Sequence, residues 1–149
     1  MSPAAQPVGA AVPDSRAAVT VPSSYDHLSA VRSVVLAQAL GRLDETATEQ
    51  LALAVHEATA NSIEHAHSCD ASKPVECVVE AYTDRVVVRV YDWGPPFESG
   101  PADEPNLDGS AEGGFGLYII GECVDETERF RDELGRNCLT LTKHAGGKK

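Results

Sequence analysis

Three stretches of this chain combine residue types and spacings that could do chemistry. The first is Glu57-Ala58-Thr59-Ala60-Asn61-Ser62-Ile63-Glu64-His65. On a helix, steps of four carry Glu57, Asn61 and His65 along one stripe, drifting by roughly 40° per step, so a carboxylate, an amide and an imidazole share a face. The second is Tyr91-Asp92-Trp93-Gly94-Pro95-Pro96-Phe97, an acid at the end of an apolar run followed by turn residues. The third is Glu112-Gly113-Gly114-Phe115-Gly116-Leu117, where glycines lead into an apolar segment. Glycines ahead of a helix N-terminus let backbone N–H groups approach phosphate oxygens, and the helix dipole adds attraction. Plainer accounts exist for the first two: a solvated polar helix face, and an Asx-turn closing a strand.

Several familiar sites are excluded. The third glycine of a dinucleotide fingerprint would fall at Ile119, and no strand leads directly into Gly114. No Gly-Lys-Ser/Thr follows, so this is not a P-loop. His56-Glu57 opens like a zincin motif, but Ala60 stands where the second histidine belongs. Glu104-x-Asn106-x-Asp108-Gly109 mimics half a calcium loop, with Phe115 in place of the closing Glu. His65, His67 and Cys69 are too close on one helix to converge on one ion. The four cysteines, Cys69, Cys77, Cys123 and Cys138, include no C-x-x-C pair. Cys77 and Cys138 lie in apolar strand-like runs and read as small core residues.

The elements that must position these residues follow from periodicity. Residues 1–16, rich in Ala and Pro, read as a disordered tail. Ala18–Val21 reads as a short strand ending at Pro22. Ser23-x-x-Asp26 resembles a capping box, and Leu28, Val31, Val35 and Ala39 continue at helical spacing until Gly41 closes the helix. A second helix starts near Asp44 or Thr46 and runs to about Ala66, with Leu51, Val55, Ala58 and Ile63 as its apolar stripe. Val75, Cys77, Val79 and Ala81 alternate with Glu76, Val78 and Glu80, the pattern of a strand with one wet face. Thr83-Asp84 turns the chain into a more buried strand over 86–91. From Trp93 to about Gly113 there is no periodicity, and a long loop inside a compact domain is usually functional. A short helix over 115–120 and two strands, 125–131 and 137–142, meeting in a hairpin at Gly135, complete the order β-α-α-β-β-loop-α-β-β. That order predicts an α/β two-layer sandwich, a mixed, mostly antiparallel sheet with helices on one face. The domain spans 17–144, and 145–149 form a second disordered tail.

Composition narrows the function. The chain has 149 residues, 42% of them hydrophobic, enough for one self-sufficient core. Its 12 basic and 23 acidic residues give a net charge of −11. That balance speaks against direct binding to a nucleic-acid backbone, where clustered cations replace counterions. It permits a basic protein partner. No apolar run approaches a membrane span, and the N-terminus lacks the basic and apolar regions of a signal peptide, so a cytoplasmic protein is expected.

Taken together, the three stretches resemble the N box and the two glycine boxes of the GHKL ATPase superfamily. Within it the chain is similar to the small anti-sigma-factor serine kinases of bacteria. The resemblance covers roughly residues 19 to 143. It includes Arg32 on the first helix, Leu53-x-x-x-Glu57-x-x-x-Asn61-x-x-x-His65, Asp92-x-Gly94, Gly113-Gly114-Phe115-Gly116-Leu117 and the closing Leu141-Thr142-Lys143. The resemblance implies ATP and Mg²⁺ as ligands. Asn61 would bind Mg²⁺ through its amide oxygen, and Glu57 would be the general base. Asp92 would accept a hydrogen bond from the adenine amine, and Gly94 would let the backbone approach the base. Gly113, Gly114, Gly116 and Leu117 would cradle the phosphates beneath a lid over 98–112, and His65 would line the phosphate end.

Two departures bear on nucleotide affinity. Pro96 stands where the family has a second glycine, removing an N–H and fixing φ at the lid hinge. Gly135-Arg136-Asn137-Cys138 replaces a Gly-Thr pair whose hydroxyl helps fix adenine, with Asn137 as a substitute. The resemblance implies an ATP-dependent anti-sigma factor that sequesters a sigma factor and phosphorylates a STAS-domain antagonist on serine, working as a homodimer. The alternative is a nucleotide-binding anti-sigma or adaptor module without kinase activity.

Overall fold

The computed structural model describes residues 12–66, 69–95 and 114–146, with side chains for all of these but His65 and residues 114–117. The elements run β1 (Ser15–Pro22), α1 (Leu28–Ala39), α2 (Glu45–Asn61), β2 (Pro74–Ala81), β3 (Arg85–Asp92), α3 (Gly114–Cys123), β4 (Glu126–Arg131) and β5 (Asn137–His144). A 3₁₀ turn, Tyr25–His27, leads into α1, and a π turn, Ser62–Ala66, extends α2. The five strands form one sheet in the order β1-β2-β3-β5-β4. Among the described residues every pairing is antiparallel, in keeping with the mostly antiparallel sheet expected. The two-layer α/β architecture is as expected.

Local chemistry explains most boundaries. The Asp44 side chain accepts from the Ala47 amide at 2.7 Å and caps α2. Gly41, at φ +81°, turns the chain after α1 in a conformation glycine adopts without cost. Gly135, at φ +85°, does the same between β4 and β5. The start of α1 differs from expectation. Ser24, not Ser23, caps the 3₁₀ turn by accepting from the Asp26 amide at 3.2 Å. Ser23 is fully buried, and its hydroxyl donates to the Lys73 carbonyl at 2.7 Å. β1 also begins inside the segment read as a tail, because β2 is long enough to pair Ser15 with Ala81 and Arg16 with Glu80. At the other end, the Ala145 amide bonds Asp84 O at 2.8 Å, so the ordered chain passes the expected limit at residue 144.

The helices cover one face of the sheet. Val31, Val35 and Ala39 of α1, and Leu51, Val55 and Ala58 of α2, interlock with Cys77 and Val79 of β2, with Val86, Val88 and Val90 of β3, and with Leu141 of β5. Lys143 shares this face and is 1% exposed; its ammonium donates to the Cys123 carbonyl at 2.8 Å, at the negative end of α3. The opposite face is drier than the alternation of β2 predicts. Val78 and Glu80 are each 4% exposed, because β2 lies inside the sheet and long neighbours lie over it. The Glu80 carboxylate pairs with Arg89 and Arg16 and accepts from the Tyr82 hydroxyl.

One contact fixes how β3 ends. Gly94 is buried against the π turn, where an added Cβ would lie 2.5 Å from the Ala66 Cβ. Any side chain at 94 must push the two segments apart.

Two predictions follow from this packing. Gly94→Ala should cost about 1–3 kcal/mol in urea unfolding, the usual range for overpacking. Adding Ala66→Gly should recover only part of it, because the Ala66 Cα and carbonyl oxygen would still lie 3.0 and 3.1 Å from the new Cβ and a glycine costs ~0.5–1 kcal/mol in a helical turn; additive losses in the double variant would mean the two residues do not touch. The second concerns cysteines. Burial pushes the Cys77 thiol up to about 11, so at pH 8 it is protonated as well as inaccessible. A thiol probe at that pH should modify the exposed Cys69 and reach Cys77 only after unfolding. Rapid native labelling of Cys77 would contradict the strand packing.

Candidate functional site

The end of α2 and the end of β3 meet around one buried acid. Asp92 is the last residue of β3 and is 5% exposed. Its Oδ1 accepts from the Gly94 amide at 2.9 Å and from Asn137 Nδ2 at 3.0 Å. Its Oδ2 accepts from the Ser62 hydroxyl at 2.8 Å. The bond to Gly94 N is the Asx-turn that the sequence allowed. The bonds to Ser62 and Asn137 go beyond a turn, since they join three separate elements.

The sheet register sets up this arrangement. Asp92 lies directly opposite Asn137, and Asn137 lies directly opposite Arg131 on β4. The Asn137 amide is 2% exposed and faces Pro95 O at 2.7 Å and Gly94 O at 3.3 Å as well as Asp92. Its Oδ1 accepts from the Arg131 guanidinium at 3.1 Å. Only this orientation of the amide matches donors to acceptors on both sides.

Glu57 and Asn61 lie one turn apart on the last part of α2, both half-buried, with Cβ atoms roughly 5–6 Å apart at this spacing. α3 packs beside α2. Burial raises the Cys123 thiol, Lys143 opposes the shift, and the charges of Glu122 and Glu57 add to it. The Glu57 carboxylate is therefore within electrostatic reach of the end of α3.

Past Asn61 the α-helical spacing gives way to the π turn, whose wider winding sends Ser62 to Asp92 and seats Ala66 on Gly94. π turns inside helices occur often at functional positions. The His65 side chain lies outside the described part of the structure. Gly114, Gly116 and Leu117 fall in the first turns of α3. Gly113, Pro96 and the 98–112 segment lie outside the described residues. Among the described residues no three His, Cys, Asp or Glu side chains converge to hold an ion, and no helix is long and apolar enough to cross a membrane.

Two contributors escaped the sequence reading. Ser62 follows Asn61 in what looked like an ordinary helix, and nothing in the spacing turned it toward Asp92. Arg131 is visible only once the 132–136 hairpin fixes the β4–β5 register.

Known proteins show the same architecture. Over 139 residues the chain is 29% identical to the serine-protein kinase RsbW of Bacillus subtilis, covering 87% of this chain and 85% of that protein. It is 28% identical over 124 residues to serine-protein kinase RsbW of Staphylococcus epidermidis, covering 75% and 77%. A 34% match to the Bacillus licheniformis enzyme of that name covers 52% of this chain and about half of the relative, 54%. Among solved structures, the RsbU and RsbW domains of a Mycobacterium tuberculosis protein superpose with a TM-score of 0.62 at 18% identity. That match covers 89% of this chain and 33% of the other, and it speaks for the fold alone. The profile of the histidine kinase-like ATPase domain matches residues 21–143, most of the chain and all of the site just described, and the chain belongs to that family.

Proposed function

We propose that this chain is an ATP-dependent protein-serine kinase that also sequesters a sigma factor. Its protein substrate would be a small STAS-domain antagonist, and its working form a homodimer. The observation that carries the reading is the Ser62–Asp92 hydrogen bond of 2.8 Å, which ties the residue after Asn61 to the acid at the end of β3. It links the residue beside the candidate metal ligand directly to the candidate adenine acceptor. Membership of an ATPase family and relatives named as serine-protein kinases support the reaction class.

Each residue has a role suited to its environment. Asp92 is an acceptor placed for an exocyclic amine, which adenine has and guanine replaces with a carbonyl oxygen. Asn61 offers one neutral oxygen, fitting Mg²⁺ that takes its other ligands from phosphates and water, and the ion would neutralise charge on the transferred phosphoryl group. Glu57 would take the proton from the substrate serine as its oxygen bonds to the γ-phosphorus. The bond to the bridging oxygen breaks, and ADP and phosphoserine leave. The N-terminal turns of α3, with Gly114 and Gly116, would hold phosphate oxygens on backbone N–H groups. The net charge of −11 favours a basic partner such as a sigma factor.

Three variants test the assignment. Asp92→Ala should weaken ATP binding at least tenfold, as expected for loss of a hydrogen bond to a charged acceptor. Glu57→Gln should bind Mg-ATP normally yet transfer phosphate roughly 10²–10⁴ times more slowly. Asn61→Ala should lose the Mg²⁺-dependent part of binding and also transfer. The measurements are calorimetric titration and a radiolabel time course against candidate antagonists from the same cell. If the wild type labels none of them while holding a sigma factor tightly, the chain is a binding module and the kinase reading is wrong.

A further inference from the structure

Among the described residues Lys143 is the largest fully buried side chain, and no step of the proposed reaction falls to it. Taking an ammonium out of water is costly, and a leucine or methionine here would fill the core without that cost. Three contacts in a row show what the charge adds. The chain leaving α3 meets three consecutive residues of β5. The Asp125 amide donates to the Thr142 carbonyl at 2.9 Å, and the Asp125 carboxylate accepts from the His144 amide at 2.7 Å. Both bonds use the backbone of β5, so residue 143 could be of any type without losing them. The middle contact is different. Lys143 Nζ donates to the carbonyl of Cys123, the last residue of α3, at 2.8 Å. A cation there satisfies an end carbonyl and complements the helix dipole. Lys143 thus grips the helix itself, whereas its neighbours hold the chain just beyond it.

Lys143 and Asn137 are six residues apart on β5, so the strand period of two puts both on its helix-covered face, about 20 Å from one another. One end of the strand holds Asp92 through Asn137, and the other holds α3 through Lys143. We infer that Lys143 is a positioning residue for the phosphate end of the nucleotide site. By fixing the end of α3 to β5, it sets where the first turn of that helix stands relative to Asp92. The inference rests on the phosphate reading of α3 in the proposed function. The 10 residues of α3 span about 15 Å, so a tilt of about 4° at the gripped end moves the first turn by about 1 Å. N–H···O bonds vary in length by only about 0.5 Å, so such a shift breaks contacts with phosphate oxygens.

The test separates recognition of phosphate from recognition of the nucleoside. The full chain and its variants are titrated with Mg-ATP and with adenosine, which lacks phosphates, and thermal unfolding is recorded for each. Lys143→Met keeps the stem and removes the ammonium. It relieves a buried charge but takes a donor from the Cys123 carbonyl, so the two effects oppose and the unfolding temperature should stay near that of wild type. The preference for ATP over adenosine should fall about tenfold, the scale of one hydrogen bond to a charged group, with adenosine affinity unchanged. Lys143→Gln, a bond shorter and uncharged, should do the same. A lysine that merely fills the core would move both affinities alike or neither, and a wild-type preference in the variants overturns the inference. If the methionine variant fails to fold, the glutamine variant decides alone. Failure of both makes Lys143 a folding residue and also overturns the inference. A wild type that binds ATP no better than adenosine would instead remove the phosphate reading, and the inference with it.

Discussion

A carboxylate taken out of water with only neutral donors around it constrains everything near it. Asp92 can occupy the end of β3 only if three donors from three elements arrive together: its own turn, β5 and the end of α2. The β3–β5 register places Asn137 opposite it. The π turn carries Ser62 to its other oxygen. Gly94, the turn residue whose amide closes the set, has no room for a side chain because Ala66 of that π turn fills the space. These features support one another, and each would be a cost without the rest. The end of this strand is tied by hydrogen bonds to two other elements as well as to its own turn.

The sequence was most readable where a repeat reported burial. The apolar stripes of α1 and α2 and the valine run of β3 gave the helices, the strand and the layer between them, and the core they form is the one expected. Gly41 and Gly135 marked turns because only glycine takes positive φ cheaply. Legibility failed where the deciding partner lies far along the chain. Glu80 looked wet because its alternation puts it opposite the core, yet Arg16 and Arg89, 64 residues earlier and 9 later, cover it. Asn137 was visible as a candidate only beside a family pattern. Its partners, Asp92 and Arg131, emerge from a register that propensity does not encode. The π turn was illegible for the same reason, since a helix that widens for a tertiary bond looks like any other helix in sequence.

α3 shows how the fold prepares an anchor without exposing it. Its C-terminal carbonyl is held by Lys143, a charged residue almost wholly buried between helix and sheet. A cation at that end complements the helix dipole. The same dipole is positive at the opposite end, where Gly114 and Gly116 lie. The helix is thus fixed from within the core at its C-terminal end.

The two buried acids of the sheet make the final distinction. Glu80 and Asp92 are about equally hidden, 4% and 5% exposed, on β2 and β3. Glu80 is paired with two guanidinium groups, so its charge is spent inside the fold and it has little to offer a ligand. Such a pair typically makes a modest net contribution to stability, because desolvation offsets the attraction. Asp92 has the same charge and, among the described residues, no cation on either oxygen. Its donors among the described residues, Ser62, Asn137 and the Gly94 amide, are neutral and hold the carboxylate in place. Burial alone does not distinguish them, since both acids have it. What separates them is whether the surrounding groups cancel the charge or merely orient it.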